Sequence, residues 1–143
     1  MTLAINKADE ALKNREVPVG CVIIYDNMVI ASGCNDVNAT KNATRHAEMI
    51  AIEQVYDWCK QQQKECTNVF KDCTLYVTTE PCIMCAGAAF WTQIERIVYA
   101  ASDNKRGFSS LKKTIFHPKT QLKKGVLEKE SVKLLSNFFK EKR

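Results

Sequence analysis

The sequence is short of the residues that break or tether a chain. Among 143 residues it has three prolines and five glycines, and no stretch rich in Gly, Ser and Pro that would serve as a linker. No fixed-period repeat or low-complexity tract interrupts it, so one domain over residues 1–143 is expected. Long apolar runs are missing as well. The longest, Cys82 to Trp91, is ten residues and contains Gly87, far below the ~20 needed to cross a bilayer. Membrane-spanning and membrane-anchored readings are thereby set aside. The opening residues are polar and amphipathic, with neither the apolar core nor the small-residue cleavage site of a secretory signal.

What is present is an ordinary globular composition, 45% hydrophobic, 26% charged and 8% aromatic, unlike that of a disordered chain. Seven cysteines is an odd number. Without a secretory signal it argues against a disulfide framework and for metal-bound or buried thiols in a reduced compartment. The cytoplasm is expected, or the nucleus of a eukaryotic cell. Net charge is +5, unevenly placed: residues 103–143 carry 12 Lys/Arg against 4 Asp/Glu, a local +8, while residues 1–102 carry 9 against 12, a local −3. A basic C-terminal third suits an anionic partner touched by one end of the molecule. The same charge also fits a solvated lysine-rich tail.

Residues 2–15 space Leu3, Ala4, Ala8, Ala11 and Leu12 for a helix, ended by the Val17-Pro18 step. Val19 to Tyr25 and Met28 to Ala31 flank the turn pair Asp26-Asn27 and predict a largely buried hairpin. Residues 32–44 are polar and predict a loop, with Thr44 able to cap a helix from about His46 to Lys60 whose stripe is Ala47, Ile50, Ala51, Val55 and Trp58. After polar Gln61 to Lys71 come a strand, Cys73 to Val77, a helix from Cys82 to about Thr92 with Pro81 in its first turn, and a strand, Ile94 to Ala100. Ala101 to Lys124 carries no clear pattern. A basic closing helix, about 127–142, is expected to turn Val132, Leu135, Phe138 and Phe139 inward. Strands alternating with helices predict a three-layer α/β domain.

Two short motifs carry chemistry: His46-Ala47-Glu48 and Pro81-Cys82-Ile83-Met84-Cys85. Cys82 and Cys85, three apart near a helix N-terminus, share one face, and the helix end favours the thiolates that bind metal. His46, 36 residues upstream, begins another helix and can bring a ring nitrogen to the same ion. One His and two Cys make a soft tetrahedral zinc site with its fourth position open, as a catalytic zinc needs. Zinc lowers the pKa of a water held there to roughly 7. Glu48, on the same first turn as His46, is placed to take that proton and deliver it to substrate and leaving group. The pattern H-x-E with P-C-x-x-C is the signature of zinc nucleobase deaminases. A structural zinc that recruits His117, Cys59, Cys66 or Cys73 as fourth ligand is the bland alternative, and it leaves Glu48 without a role. Together with Cys21 and Cys34, the three spare thiols are expected to be small buried or half-buried groups.

At these residues nearly the whole chain resembles the tRNA wobble adenosine deaminases, which convert an anticodon adenosine to inosine. The resemblance runs through Glu16-Val17-Pro18-Val19-Gly20, Asn42-Ala43-Thr44-Arg45-His46-Ala47-Glu48 and Glu80-Pro81-Cys82-Ile83-Met84-Cys85-Ala86-Gly87-Ala88. It resumes in Asp103-Asn104-Lys105-Arg106-Gly107, His117-Pro118 and Leu134-Leu135-Ser136-Asn137-Phe138-Phe139. The resemblance implies a three-layer α-β-α cytidine-deaminase-like fold with a five-stranded mixed sheet. It implies one Zn2+ per chain on His46, Cys82 and Cys85, with Glu48 as proton shuttle and Asn35 on the target nucleoside. It further implies that the Ala47 backbone and the Val19 side chain line the base pocket, that Asp103 and Lys105 lie beside the bound anticodon loop, and that Phe138 and Phe139 border the RNA groove. For those two phenylalanines, core packing of an amphipathic helix fits as well.

Up to about Ala86 the chain looks like the catalytic subunit of the eukaryotic enzymes, which pairs with a catalytically degenerate paralogous chain. From about Gly107 onward it looks more like the bacterial homodimer. Its N-terminal helix is a turn or so shorter than in either, as in a trimmed or redesigned chain. A dimer follows from the resemblance alone, and both pairings stay open. The implied activity is hydrolytic deamination of wobble adenosine, with the tRNA anticodon stem-loop as partner. The same zinc motif serves deaminases of free guanine or cytosine, deaminases of adenine in single-stranded nucleic acid, and non-catalytic zinc or RNA-binding modules. An intact Glu48 argues against the last.

Overall fold

The first helix, α1 (Thr2–Lys13), buries Ala4, Ala8 and Ala11 along one side, a face with no bulk. It can therefore lie against strand backbone. In the computed structural model, which describes residues 1–111 and 113–142, that backbone is β1 (Gly20–Tyr25). A Cβ on Gly20 would come within 2.1 Å of the Ala4 carbonyl oxygen, so only glycine permits the approach. Asp26 and Asn27 both take positive φ, 49° and 58°, the geometry of a two-residue hairpin turn. Through it β1 pairs antiparallel with β2 (Met28–Cys34). The second strand outruns the expected Ala31 because Gly33 and Cys34 continue the ladder opposite Cys21 and Gly20.

A short helix, α2 (Val37–Thr40), sits within the segment expected to be loop. The long helix α3 (Ala47–Gln61) follows. Thr44 does not cap it. The Asn42 side-chain oxygen accepts from both the Thr44 N–H and its hydroxyl, at 2.9 and 2.7 Å. This local turn delays the helix, and His46 becomes the N-cap. The buried stripe is Ala47, Glu48, Ala51, Ile52, Val55 and Cys59; Ile50 and Trp58, expected in it, are half-buried. Then come α4 (Cys66–Phe70), inside the stretch taken as merely polar, and β3 (Cys73–Thr79). The next helix, α5 (Ile83–Thr92), has Cys82 as N-cap, so Pro81 stands one residue before the cap rather than in the first turn. It leads into β4 (Arg96–Ala101).

The unassigned stretch holds a 3-10 turn, Phe108–Ser110, and the edge strand β5 (Gln121–Lys124). All four residues of β5 are exposed, so it offers no apolar pattern to read. Helix α6 (Glu128–Glu141) closes the chain. Its inward residues are Ser131 and Phe138; Val132 and Phe139, expected inward, are 45% and 50% exposed. The reason is a fixed point: the Ser131 hydroxyl donates to the Thr78 carbonyl in β3, and that sets the helix rotation.

The sheet order is β2-β1-β3-β4-β5, with β1 antiparallel to both neighbours and β3, β4 and β5 parallel. It is the expected five-stranded mixed sheet. Helices α1 and α6 pack on one face, and α3 packs on the other, with α4 and α5 beside it. The core lies on the α3 side, around Ile23, Leu75, Val77, Ile97, Val55 and Phe70. Because β1 runs against β3, its start and the end of β2 lie at the same end of the sheet as the carboxyl ends of β3 and β4. Among the described residues no helix is long and apolar enough to cross a membrane.

Gly33 fixes where α3 sits: a Cβ there would lie 2.4 Å from the Ala47 carbonyl oxygen. Gly33→Ala should therefore destabilise the fold by about 1–3 kcal/mol through overpacking, read as a lower denaturant midpoint at unchanged slope. An unchanged midpoint would show that α3 can move away without cost.

Candidate active site

Two helix N-termini meet at that end of the sheet. His46 is N-cap of α3 and Cys82 is N-cap of α5, with Cys85 in the first turn of α5. The Cys82 sulfur lies 3.5 Å from His46 Nδ1 and 3.6 Å from the Cys85 sulfur, and Cys85 lies 3.6 Å from the same Nδ1. A tetrahedral zinc with sulfur at about 2.3 Å and nitrogen at about 2.0 Å sets ligand–ligand edges of about 3.5 to 3.8 Å. The three donors thus fit one face of that tetrahedron.

The protonation chemistry agrees. Contact with the Cys85 thiol, helped by His46, holds Cys82 down to about 4, while burial opposes. The interaction with Cys82 raises the His46 imidazolium against its own burial. Cys85 moves the other way, raised first by its neighbour Cys82 and then by burial. Two adjacent thiolates repel, and a divalent cation between them removes that repulsion and the last thiol proton with it. Among the described residues no other His, Cys, Asp or Glu joins the group. The four-ligand alternative finds no support there: Cys73 starts β3 at the opposite end of the strand from Pro81-Cys82, beside Cys59 and Cys66. Burial pushes Cys66 and Cys73 up to about 12, so both remain thiols. All seven cysteines are free.

His46 and Cys82 line a cavity of about 460 Å³, with Cys85 buried beside them. Glu48 lines it although the residue is only 3% exposed, and burial raises its carboxyl to about 7. Asn35, also lining, uses its side-chain oxygen to accept the Ala47 N–H at 3.0 Å. This fixes the amide orientation one residue after the metal-binding His46. Val19 forms part of the wall; Ala47 is fully buried behind it. Asp103 stands at the rim, where its Oδ1 accepts the N–H groups of Lys105 and Arg106 at 3.0 Å. Lys105 is exposed and its side chain lies outside the cavity lining. Phe139 is at the mouth, whereas Phe138 is 4% exposed and packs inside, so core packing describes Phe138.

Sequence reasoning missed several cavity residues, chiefly Glu16, Glu80 and Arg106. Glu16 is 1% exposed and accepts the Asn38 N–H at 2.7 Å, the Ala39 N–H at 3.0 Å and the Asn38 side-chain amide at 3.0 Å. Glu80 is 3% exposed and accepts the N–H groups of Asp103 and Ser109. The available signal was an acid one or two residues before a proline at the margin of a buried strand.

A soft three-donor metal site with one side open, backed by a buried carboxylate in a cavity of nucleobase size, defines a metal-dependent hydrolase of the nucleobase-deaminase class. The chain belongs to the family of the cytidine and deoxycytidylate deaminase zinc-binding region, which matches residues 1–101. It is 53% identical over 107 residues to tRNA-specific adenosine deaminase 2 of Xenopus tropicalis, covering 75% of this chain and 63% of that protein. The chain thus spans under two thirds of the frog relative's length. With the tRNA-specific adenosine deaminase of Buchnera aphidicola it shares 36% identity over 147 residues, 100% of this chain and 93% of that one. A solved structure from studies of A-to-I editing by tRNA:A34 deaminases at the wobble position superposes with TM-score 0.80 at 34% identity, covering 94% of this chain and 97% of the other.

Cys85→Ser should lose both zinc and fold stability, since metal binding and folding are linked. Metal analysis and thermal unfolding, with and without a chelator, check this. A stable, zinc-replete Cys85→Ser protein would mean that another group completes the site.

Proposed function

We propose that the protein hydrolytically deaminates adenosine to inosine at the wobble position of a tRNA anticodon loop. The observation that carries this reading is the meeting of the His46, Cys82 and Cys85 donors with buried Glu48 and oriented Asn35 in one cavity. The names borne by the relatives point to the same substrate.

His46, Cys82 and Cys85 would hold the zinc, which would supply a Lewis acid able to make water nucleophilic at neutral pH. The residues of the chain do the rest. Glu48, whose carboxyl burial raises to about 7, acts first as carboxylate, accepting a proton from the water that attacks C6 and passing it to purine N1. It then takes the proton of the new C6 hydroxyl and delivers it to the exocyclic N6; the C6–N6 bond breaks and ammonia leaves, so adenosine and water become inosine and ammonia. Asn35, with its oxygen committed to the Ala47 N–H, has its amide NH2 to hold the nucleoside. Val19 packs on the base, and the buried walls limit water access.

A base must leave its stack to enter such a cavity, which loop nucleotides do at least cost. Half-exposed Phe139 and exposed Arg106 line the cavity, Lys105 is exposed next to Arg106 in sequence, and residues 103–143 carry a local charge of +8. Cations attract the phosphates, and an aromatic face accepts a stacked base. Free cysteines throughout suit a reducing compartment, and we place the protein in the cytoplasm.

The chain acts as a dimer in this proposal. On α5, Ile83, Gly87 and Trp91 line up at helical spacing; Ile83 is 51% and Trp91 81% exposed, and Gly87 meets nothing beyond its own helix. An apolar stripe of this kind suits burial against a second copy of the chain, with a paralogous chain of like fold as the other pairing.

Incubation of the purified chain with a short anticodon stem-loop carrying a wobble adenosine should yield inosine, read by sequencing. Glu48→Ala should lose turnover by at least about 10²-fold while zinc stays near one per chain. Turnover of free guanine or cytosine with none on RNA would move the assignment to a free-base deaminase. Light scattering should give twice the chain mass for the wild type and the chain mass for Trp91→Glu. A wild-type monomer that gains activity only with a paralogous chain would make the dimer heteromeric.

A further inference from the structure

Of the two buried carboxylates outside the metal site that line the cavity, Glu80 is the one that holds its rim. Its Oε2 accepts the Asp103 N–H at 3.0 Å and its Oε1 accepts the Ser109 N–H at 2.8 Å, so both ends of the 103–109 turn rest on one carboxylate. Inside the turn, the Asp103 side chain accepts from Lys105 and Arg106, and its carbonyl accepts the Gly107 N–H at 2.9 Å. The turn is a self-contained unit whose seat is Glu80. Gly107 lies flush on that seat: a Cβ there would come within 2.4 Å of the Glu80 carboxyl carbon.

Backbone bonds also tie the middle of the turn to the strand end that carries Cys82. The Glu80 N–H donates to the Ala101 carbonyl at 2.7 Å, the Phe108 N–H donates to the Pro81 carbonyl at 2.9 Å, and Cys82 forms a backbone bridge with Gly107. Removing the Glu80 side chain therefore releases the Asp103 and Ser109 amides while Gly107 and Phe108 stay tied to Pro81-Cys82. With its amides drawn inward, the turn carries Arg106 on the cavity lining and Lys105 exposed next to it in sequence.

From this arrangement we infer that Glu80 is a positioning residue for nucleic-acid binding. It seats the 103–109 turn so that Lys105 and Arg106 meet the nucleotides flanking the target base, and it takes no part in the chemical step. The inference rests on the wobble-deaminase reading above. It has two parts, one structural and one kinetic, and the structural part is measured without turnover.

Amide hydrogen exchange on the zinc-loaded protein tests the seat. Glu80→Ala should strip protection from the Asp103 and Ser109 amides, and Glu80→Gln, which keeps a single acceptor oxygen, should lose less. Steady-state kinetics on the anticodon stem-loop test the consequence. KM should rise on the order of tenfold in Glu80→Ala and by a smaller factor in Glu80→Gln, with kcat within about threefold and zinc at one per chain. If Glu80→Ala does not fold, Gly107→Ala, which forces the turn off an intact carboxylate, carries the same two measurements.

Protected rim amides in Glu80→Ala overturn the inference. So does a fall in kcat with loss of zinc, which would make Glu80 a support of the metal centre, or rim amides that open with KM unchanged. If the wild type forms no inosine, the wobble-deaminase reading fails. Stem-loop affinity, measured by fluorescence anisotropy, then replaces KM: weakening by the same factors in the variants supports the seat, and unchanged affinity overturns it.

Discussion

The site depends on two helices beginning at one point. Helices α3 and α5 come from different parts of the chain, yet their N-caps, His46 and Cys82, stand 3.5 Å apart side chain to side chain. Each N-terminus presents partial positive charge from unpaired N–H groups, which favours thiolate over thiol where metal must bind. Steric relief makes the meeting feasible. Gly33 lets the first turn of α3 rest on β2 without a side chain between them, and β1 running against β3 gathers four chain ends at one end of the sheet.

Glu16, Glu48 and Glu80 are all buried beside this cavity, and they differ in how their charge is met. Glu16 accepts three N–H bonds from Asn38 and Ala39, and Glu80 accepts two from the turn it supports. Backbone donors compensate the cost of burying these charges, and the carboxylates in turn fix loop geometry. At Glu48 burial outweighs the hydrogen bonds from its own backbone N–H and the Cys85 thiol. Burial raises its carboxyl to about 7, which places it where it can both take and give a proton near neutral pH. Glu16 and Glu80 thus differ from Glu48 in their hydrogen-bond partners, not in their burial.

The mouth combines features that suit a polymer better than a free base. Phe139 projects half-exposed from α6, and Lys105 and Arg106 project from the 103–109 turn. Phe139 and Arg106 come from different elements and both line the cavity. The short edge strand β5 carries exposed Lys123 and Lys124, which discourage further strand pairing at that open edge.

The metal donors and Glu48 were legible in the sequence because their chemistry is local: an i, i+3 pair of thiols and a His two residues from a Glu keep their relation in any helix that starts there. The long helices were legible from periodicity over ten or more residues, and the first four strands from short apolar runs set off by turn and polar residues. Tertiary structure alone decided the rest. Exposed β5 has no apolar pattern and exists only because β4 offers it an edge. The rotation of α6, set by the Ser131 bond to Thr78, turned Val132 and Phe139 outward against their own hydrophobicity. Glu16 and Glu80 show no periodicity, and their roles reside in N–H groups more than twenty residues away. Sequence spacing encodes what neighbours along one helix can do together. Which distant backbone groups meet a given side chain is settled only when the sheet closes.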